Sequence, residues 1–307
     1  MKCKMCFVWK NKNERPNESP TLNEWYNFFG SLPEISDNSM VINFSGAEPL
    51  FDERNLMLIN FSTKRGFFTT MCTNAFLIDE KMAYKIADSG LNVIIISLDG
   101  VNKNTHDFLR GRTTCYDKAM QAINNLGRHC SNIEIGIQTI ILERNLDEII
   151  RLVEWVEIDK RIKFINFQAI AQPFEAPFDV GWYKKSKYRF LWPQDIKKVY
   201  TVIEELIKFK KGGYKISNPI SQLEAFGRYF ENPQAFIKES NCNVGFYINI
   251  TQSGNVYICR LKDPIGNIKK GSPKEIWYSE AADRVREEIE NCRLNCHLLI
   301  NCCYEKE

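Results

Sequence analysis

The chain has 307 residues, of which 44% are hydrophobic and 26% charged, with a formal net charge of +3. That length allows about two domains, and the balance is that of a globular chain, not a disordered one. The charge is too small to argue for a nucleic-acid partner, no apolar run approaches the roughly 18–20 residues of a membrane span, and the polar start shows no secretory apolar region, so the expected location is cytoplasmic.

Eleven cysteines are many for such a chain. Disulfides are disfavoured in a reducing compartment, which leaves metal binding, redox chemistry or burial. Cys3 and Cys6 open the chain, and Cys242, Cys259, Cys292, Cys296, Cys302 and Cys303 crowd its end. Cys72, Cys115 and Cys130 stand alone and read as small buried hydrophobes.

In chain order, Thr21 and Glu24 form a capping box that opens a helix at Leu22. Met40 to Phe44 reads as a strand running into a Ser45-Gly46 turn. Residues 53–64 are helical, Phe67 to Cys72 a strand, and Asp79 to Ser89 a helix closed by Gly90. Val93 to Ser97 is a β-branched run suited to a buried parallel strand. Tyr116 to Cys130 is helical, Ile133 to Ile141 a strand, 147–156 a helix and Phe164 to Phe167 a strand. This alternation predicts repeated βα units and a parallel sheet. Ligands of such folds gather at the C-terminal strand ends. There stand Ser45 to Pro49, Thr73-Asn74-Ala75, Ser97-Leu98-Asp99-Gly100, Leu142 to Asn145, and Gln168. Small, polar and carboxylate residues at each end suit a site built from loops.

Residues 169–191 are irregular and aromatic, carrying Phe174, Trp182, Tyr183 and Tyr188. They read as a covering flap or a substrate lid. Trp192-Pro193 opens a long helix to about Lys211, and a second helix runs from about Ile220 to Tyr229. Phe246 to Ile250 and Val256 to Cys259 form a hairpin around Gly254. Ile265 to Ile268 is a tight turn, and one helix is expected over Pro273 to Glu290. This last module has little apolar material of its own, so a metal staple is expected. Cys242 and Cys259 flank the hairpin, and Cys292 and Cys296 follow. Such spacing fits a four-coordinate centre without separating an Fe–S cluster from structural zinc, and His297 adds to the zinc side. Cys3-x-x-Cys6 alone fits a redox pair, half a zinc knuckle, or two ligands of a cluster with one open iron.

Lys2 to Phe7 resembles the C-x3-C-x2-C cluster loop of radical S-adenosylmethionine (SAM) enzymes, with Cys3 and Cys6 as the second and third cysteines. The first would fall two residues before Met1, so the start reads as clipped and the family's first strand as missing. Ser45 to Pro49 looks like the family's G-G-E-P motif, and Thr73-Asn74-Ala75 like its T-N-G. Ser97-Leu98-Asp99-Gly100 with His106 to Gly111 resembles S-L-D-G…H-D-x-x-R-G of the subgroup with auxiliary clusters. Cys242-x11-Gly254-x4-Cys259 is similar to the opening of the SPASM/twitch domain.

The resemblance implies a partial (β/α)6 TIM-like barrel lacking its first strand, followed by a small cysteine-rich β-hairpin and helix Fe–S module. The expected division is a barrel over 1–213, a helical linker over 214–241 and the cluster domain over 242–307. It implies SAM contacts at Gly46, Glu48, Asn74, Ser97 and Arg110, with Asn145 and Gln168 added on strand-end position. A 4Fe–4S cluster would sit on Cys3 and Cys6. One auxiliary 4Fe–4S cluster, in the shorter twitch form, would use Cys242, Cys259, Cys292 and either Cys296 or a later cysteine such as Cys302. The implied activity is reductive cleavage of SAM to a 5′-deoxyadenosyl radical and hydrogen abstraction from a substrate, with flavodoxin or ferredoxin as electron donor. The substrate is a small molecule or a peptide, and the start of the chain leans the reading towards a small-molecule oxidoreductase. The rival is a zinc-stapled binding protein without turnover. It has no use for Glu48, Ser97 and Arg110 together at the strand ends.

Overall fold

The computed structural model describes residues 1–10, 19–36, 39–173, 176–177, 179–239, 242 and 244–301. Cys302, Cys303 and Phe174 lie outside the described residues. Five β-branched or aromatic runs form one parallel sheet in chain order: β1 (Val41–Phe44), β2 (Phe68–Thr73), β3 (Val93–Ser97), β4 (Glu134–Ile141) and β5 (Ile162–Ala169). Between and before them lie α1 (Leu22–Gly30), α2 (Arg54–Thr63), α3 (Glu80–Ser89), α4 (Lys103–Arg110), α5 (Cys115–His129) and α6 (Ile149–Ile158). The capping box at α1 is present: Thr21 N donates to Glu24 Oε2 at 2.6 Å, and Glu24 N to Thr21 Oγ1 at 3.3 Å. Gly90 closes α3 in the left-handed region, with φ of 72°.

The register sets which side chains share a face. Met71, Ile94, Ile96, Ile137, Ile165 and Phe167 are fully buried in the core against the helices. Each such side chain contributes roughly 1.5–3 kcal/mol on burial. The alternating residues Thr70, Cys72, Ile95, Ser97, Gln138, Asn166 and Gln168 are only half-buried. The sheet therefore has one packed face and one open face.

The β5 edge is closed in an unusual way. Ile165 N donates to Lys215 O at 2.8 Å, and Ser217 N donates to Ile165 O at 2.9 Å. Two residues on, Asn218 takes Phe167 N at 2.7 Å and gives Nδ2 to Phe167 O at 2.9 Å. Two further on, Asn301 does the same to Ala169, at 2.8 and 2.9 Å. Side-chain amides thus continue the ladder along this edge.

Beyond the sheet come α7 (Trp182–Lys185), α8 (Ile196–Lys211), α9 (Ile220–Glu231) and α10 (Pro233–Glu239). A small antiparallel sheet of β6 (Asn249–Ile250), β7 (Asn255–Tyr257) and β8 (Gly266–Asn267) follows, then α11 (Pro273–Trp277), α12 (Glu280–Glu290) and α13 (His297–Asn301). Several expectations shift. The long helix starts at Ile196, because the Asp195 carboxylate caps Lys198 N at 3.1 Å. Pro273 to Glu290 is two helices, not one, because Ser279 Oγ caps Ala282 N at 3.2 Å and restarts the chain. The expected turn at Ile265 to Ile268 holds a third strand, paired with β7. Of the aromatic residues of 182–192, Trp182, Tyr183 and Trp192 are packed core and stack edgewise or tilted with one another, Trp192 also on Tyr229 and Phe230, while Phe190 is exposed.

Candidate active site at the strand ends

The cysteine loop rests on the C-terminal end of α4. Lys4 N donates to Leu109 O at 2.8 Å, and Cys6 N to Cys3 O at 3.4 Å, so the loop turns back on itself while tied to the helix. Trp9 Nε1 holds Cys6 O at 2.9 Å, and Met5 is buried beneath. Cys3 and Cys6 are half-buried, with the Arg110 guanidinium in the neighbourhood of Cys3.

Glu48 follows β1 and reaches across to the end of β2. Its Oε1 accepts from Thr73 Oγ1 at 2.7 Å and Leu50 N at 3.3 Å, and its Oε2 from Asn74 N at 2.8 Å. Burial pushes its pKa up, and these three donors oppose the rise. A carboxylate has about four lone-pair sites, so one on Oε2 is left. Gly46, with φ of 117°, lies exposed just before it. The Asn74 side chain caps Phe76 N at 2.9 Å.

The end of β3 is built around Asp99, which is fully buried. Its Oδ2 takes Arg110 Nε at 2.7 Å, and its Oδ1 takes Ile140 N at 3.3 Å. Asn145 donates to Asp99 O at 2.7 Å and Ile140 O at 2.8 Å, and accepts from Leu142 N at 2.8 Å, so it clips the ends of β3 and β4 together. His106 Nδ1 accepts Asp99 N at 3.1 Å. Burial, and then the nearby Arg110 charge, push its pKa down to about 4. Gly100 is required by close approach: an added Cβ would lie 2.5 Å from Glu148 Oε2. That carboxylate takes Asn102 N at 2.8 Å and Thr105 Oγ1 at 2.5 Å. The arginine is therefore a paired residue with its side chain only 12% exposed, not a surface one. Asp99, the residue that orients it, is not among the sequence-predicted site residues, and its signal is the carboxylate inside Ser97-Leu98-Asp99-Gly100.

In the C-terminal module the hairpin brings thiols together. Cys259 is buried, which raises its pKa, and the nearby Cys242 and Cys292 raise it further. Leu261 N donates to Cys259 Sγ at 3.4 Å. Thiols crowded in this way ionise together only when a cation shares the space, which is the donor chemistry a cluster needs. Cys296 lies beside Tyr229, whose hydroxyl is 2.9 Å from Asn295 Oδ1. Among the described residues no three His, Cys, Asp or Glu converge closely enough for a single metal ion.

Buried carboxylates and an arginine at the strand ends, a thiol loop at their edge and a thiol-rich module beside them define an iron–sulfur enzyme of the α/β barrel class. The family model of the radical SAM superfamily matches residues 1–156, and that of the SPASM iron–sulfur cluster-binding domain matches 242–297. The chain belongs to the radical SAM superfamily, whose cofactors are 4Fe–4S clusters and SAM, and it carries a SPASM domain. This replaces the zinc-stapled alternative.

Fe-coproporphyrin III synthase of Methanosarcina barkeri is 30% identical over 160 residues, covering 52% of this chain and 39% of that protein. PqqA peptide cyclase of Bradyrhizobium diazoefficiens is 21% identical over 286 residues, covering 89% of this chain and 69% of that protein. The chain thus spans about two fifths of the first relative's length. The crystal structure of Streptococcus suis SuiB bound to its precursor peptide SuiA superposes with a TM-score of 0.68 at 17% identity, covering 98% of this chain and 67% of that one. That likeness establishes the shared fold. Among the described residues no helix is long and apolar enough to cross a membrane.

Proposed function

We propose that this protein cleaves SAM reductively and abstracts hydrogen from a peptide substrate. When bound, the cluster and SAM supply a 5′-deoxyadenosyl radical, the species that abstracts the hydrogen. The chain's own residues bind and orient. Glu48, with the backbone of Gly46, receives the SAM ammonium on its remaining lone pair. Ser97 and Arg110 face the ribose and carboxylate, Arg110 held in place by Asp99. Asn74 shapes the same strand-end loop through its cap on Phe76. Asn145, whose amide is engaged with backbone groups, acts by clipping two strand ends together.

The observation that carries the peptide reading is the row of polar side chains on the open face. Ser97, Gln138 and Asn166 are in register on adjacent strands, with Gln168 one step further along β5. A carboxamide offers one donor side and one acceptor side, as a peptide unit does. Coverage supports it too: the similarity to the peptide cyclase runs along 89% of the chain, against 52% for the porphyrin enzyme. This reverses the lean towards a small molecule. Cys242, Cys259, Cys292 and one of Cys296 or Cys302 hold an auxiliary cluster, and a flavodoxin or ferredoxin in the cytoplasm supplies electrons. The barrel unit extends to Asn218, since 215–218 lines β5.

The test is anaerobic reconstitution followed by incubation with SAM, dithionite and candidate peptides bearing deuterium. Formation of 5′-deoxyadenosine that carries deuterium only when peptide is present supports the proposal. Absence of 5′-deoxyadenosine in the reconstituted protein would sink it.

A further inference from the structure

We propose that Gly111 is a positioning residue for the cysteine loop: its missing side chain is the seat on which Lys2 and Cys3 rest. The inference rests on reading Cys3 and Cys6 as cluster ligands, and the experiment separates the two claims. Gly111 caps α4 in the left-handed region, with φ of 63°. An added Cβ would lie 2.1 Å from the Lys2 carbonyl oxygen and 2.7 Å from its carbonyl carbon. Both are backbone atoms, so nothing can swing aside, and the whole loop must lift.

The neighbouring contacts show what that lift would disturb. Leu109 O, two residues before Gly111, holds Lys4 N at 2.8 Å. Arg110, one residue before it, is fixed by Asp99 at 2.7 Å. Met1 Sδ touches Cys115 Sγ at 3.2 Å, at the start of the next helix. Leu109 and Gly111 at the α4 end thus grip the loop in different ways, one by a hydrogen bond and the other by a close backbone approach.

Gly90 provides the control. It closes α3 with nearly the same backbone, φ of 72°, but an added Cβ there meets only the Thr63 side chain at 3.6 Å, an ordinary contact. Gly90→Ala therefore carries the left-handed strain without the collision. Gly111→Asn complements Gly111→Ala, because asparagine tolerates this backbone region while still carrying a Cβ.

The experiment measures iodoacetamide alkylation of Cys3 and Cys6 in the metal-free protein by mass spectrometry. Buried Cys130, which hydrogen-bonds Ala83 O at 3.3 Å, serves as the internal monitor of global unfolding. Both Gly111 variants are expected to react about tenfold faster at Cys3 and Cys6, as a released segment opens more often, with Cys130 unchanged. Gly90→Ala is expected to match the wild type. Equal rates in the wild type and the Gly111 variants, or an equal acceleration in Gly90→Ala, would overturn the proposal. Iron and sulfide content after anaerobic reconstitution decides the reading beneath it. If the loop is released while iron binding is unchanged, the seat stands and Cys3 and Cys6 are not ligands.

Discussion

Glu48 ties the ends of β1 and β2 together and is also the residue proposed to receive the SAM ammonium. Its folded-state pKa lies above the ordinary carboxylate value because of burial. Stability from such a group is present below the unfolded pKa and lost as pH rises through the folded one, so the ionised form is a cost that the ammonium proposed to bind there would offset. Glu48→Gln keeps the volume; the amide oxygen can keep Asn74 N and Thr73 Oγ1 can turn to accept the amide N–H, with loss of only the long 3.3 Å bond from Leu50 N. The fold should therefore survive. SAM affinity should fall roughly 10- to 100-fold, the worth of a charge-assisted hydrogen bond, and an unchanged dissociation constant by calorimetry would remove Glu48 from the site. His106 has the opposite sign. Burial holds its pKa near 4, so the unfolded chain takes up the proton first. Stability is present above the unfolded value of about 6.5 and is lost as pH falls towards 4, by up to about 1.4 kcal/mol per pH unit. His106→Asn, which keeps an acceptor for Asp99 N, should flatten the dependence of melting temperature on pH across that window. Asp99→Ala should cost about 3–5 kcal/mol in chemical denaturation, since it leaves Arg110 charged and mostly buried without its partner.

At the scale of elements, the docking of α13 on β5 is the testable feature. Asn301→Leu removes two hydrogen bonds to Ala169 and should cost about 2 kcal/mol, with faster amide exchange at Gln168 and Ala169. If exchange there is unchanged, the amide is not what closes the edge. The sequence shows the five strands plainly, because Val93 to Ser97 and Ile133 to Ile141 are apolar, β-branched runs bounded by turns. It hides α4, whose Lys103-Asn104-Thr105-His106-Asp107 has no apolar period and whose cap is the Asn102 side chain on Asn104 N. The break before α12 had a signal in Ser279, a good N-cap residue. Asn218 and Asn301 had none: they close β5 from 51 and 132 residues away, and no local pattern marks an asparagine for that work. The site divides in the same way. Glu48 and Arg110 stand in recognisable motifs, whereas the Gly111 seat exists only once α4 and the cysteine loop are folded together.

For the whole molecule, the thin C-terminal module sets the limit. Its three short strands and its buried side chains, among them Val256, Ile258, Ile265 and Ile268, join the same hydrophobic cluster as the barrel core. Cys259→Ala should lower iron after reconstitution by about four atoms per chain, one 4Fe–4S centre, and should lower the melting temperature. Iron content equal to the wild type would take Cys259 out of the ligand set.

The asparagine ladder on β5 carries a consequence for how the protein ages in solution. An open strand edge is a template for another chain, and here a rung of that edge is masked by a side chain from the last described helix. Anything that loosens residues 292–301, oxidation of the thiols included, uncovers the Ala169 backbone groups. The damaged molecule then has a sticky margin and not merely an empty site. Storage in air should therefore show first as self-association.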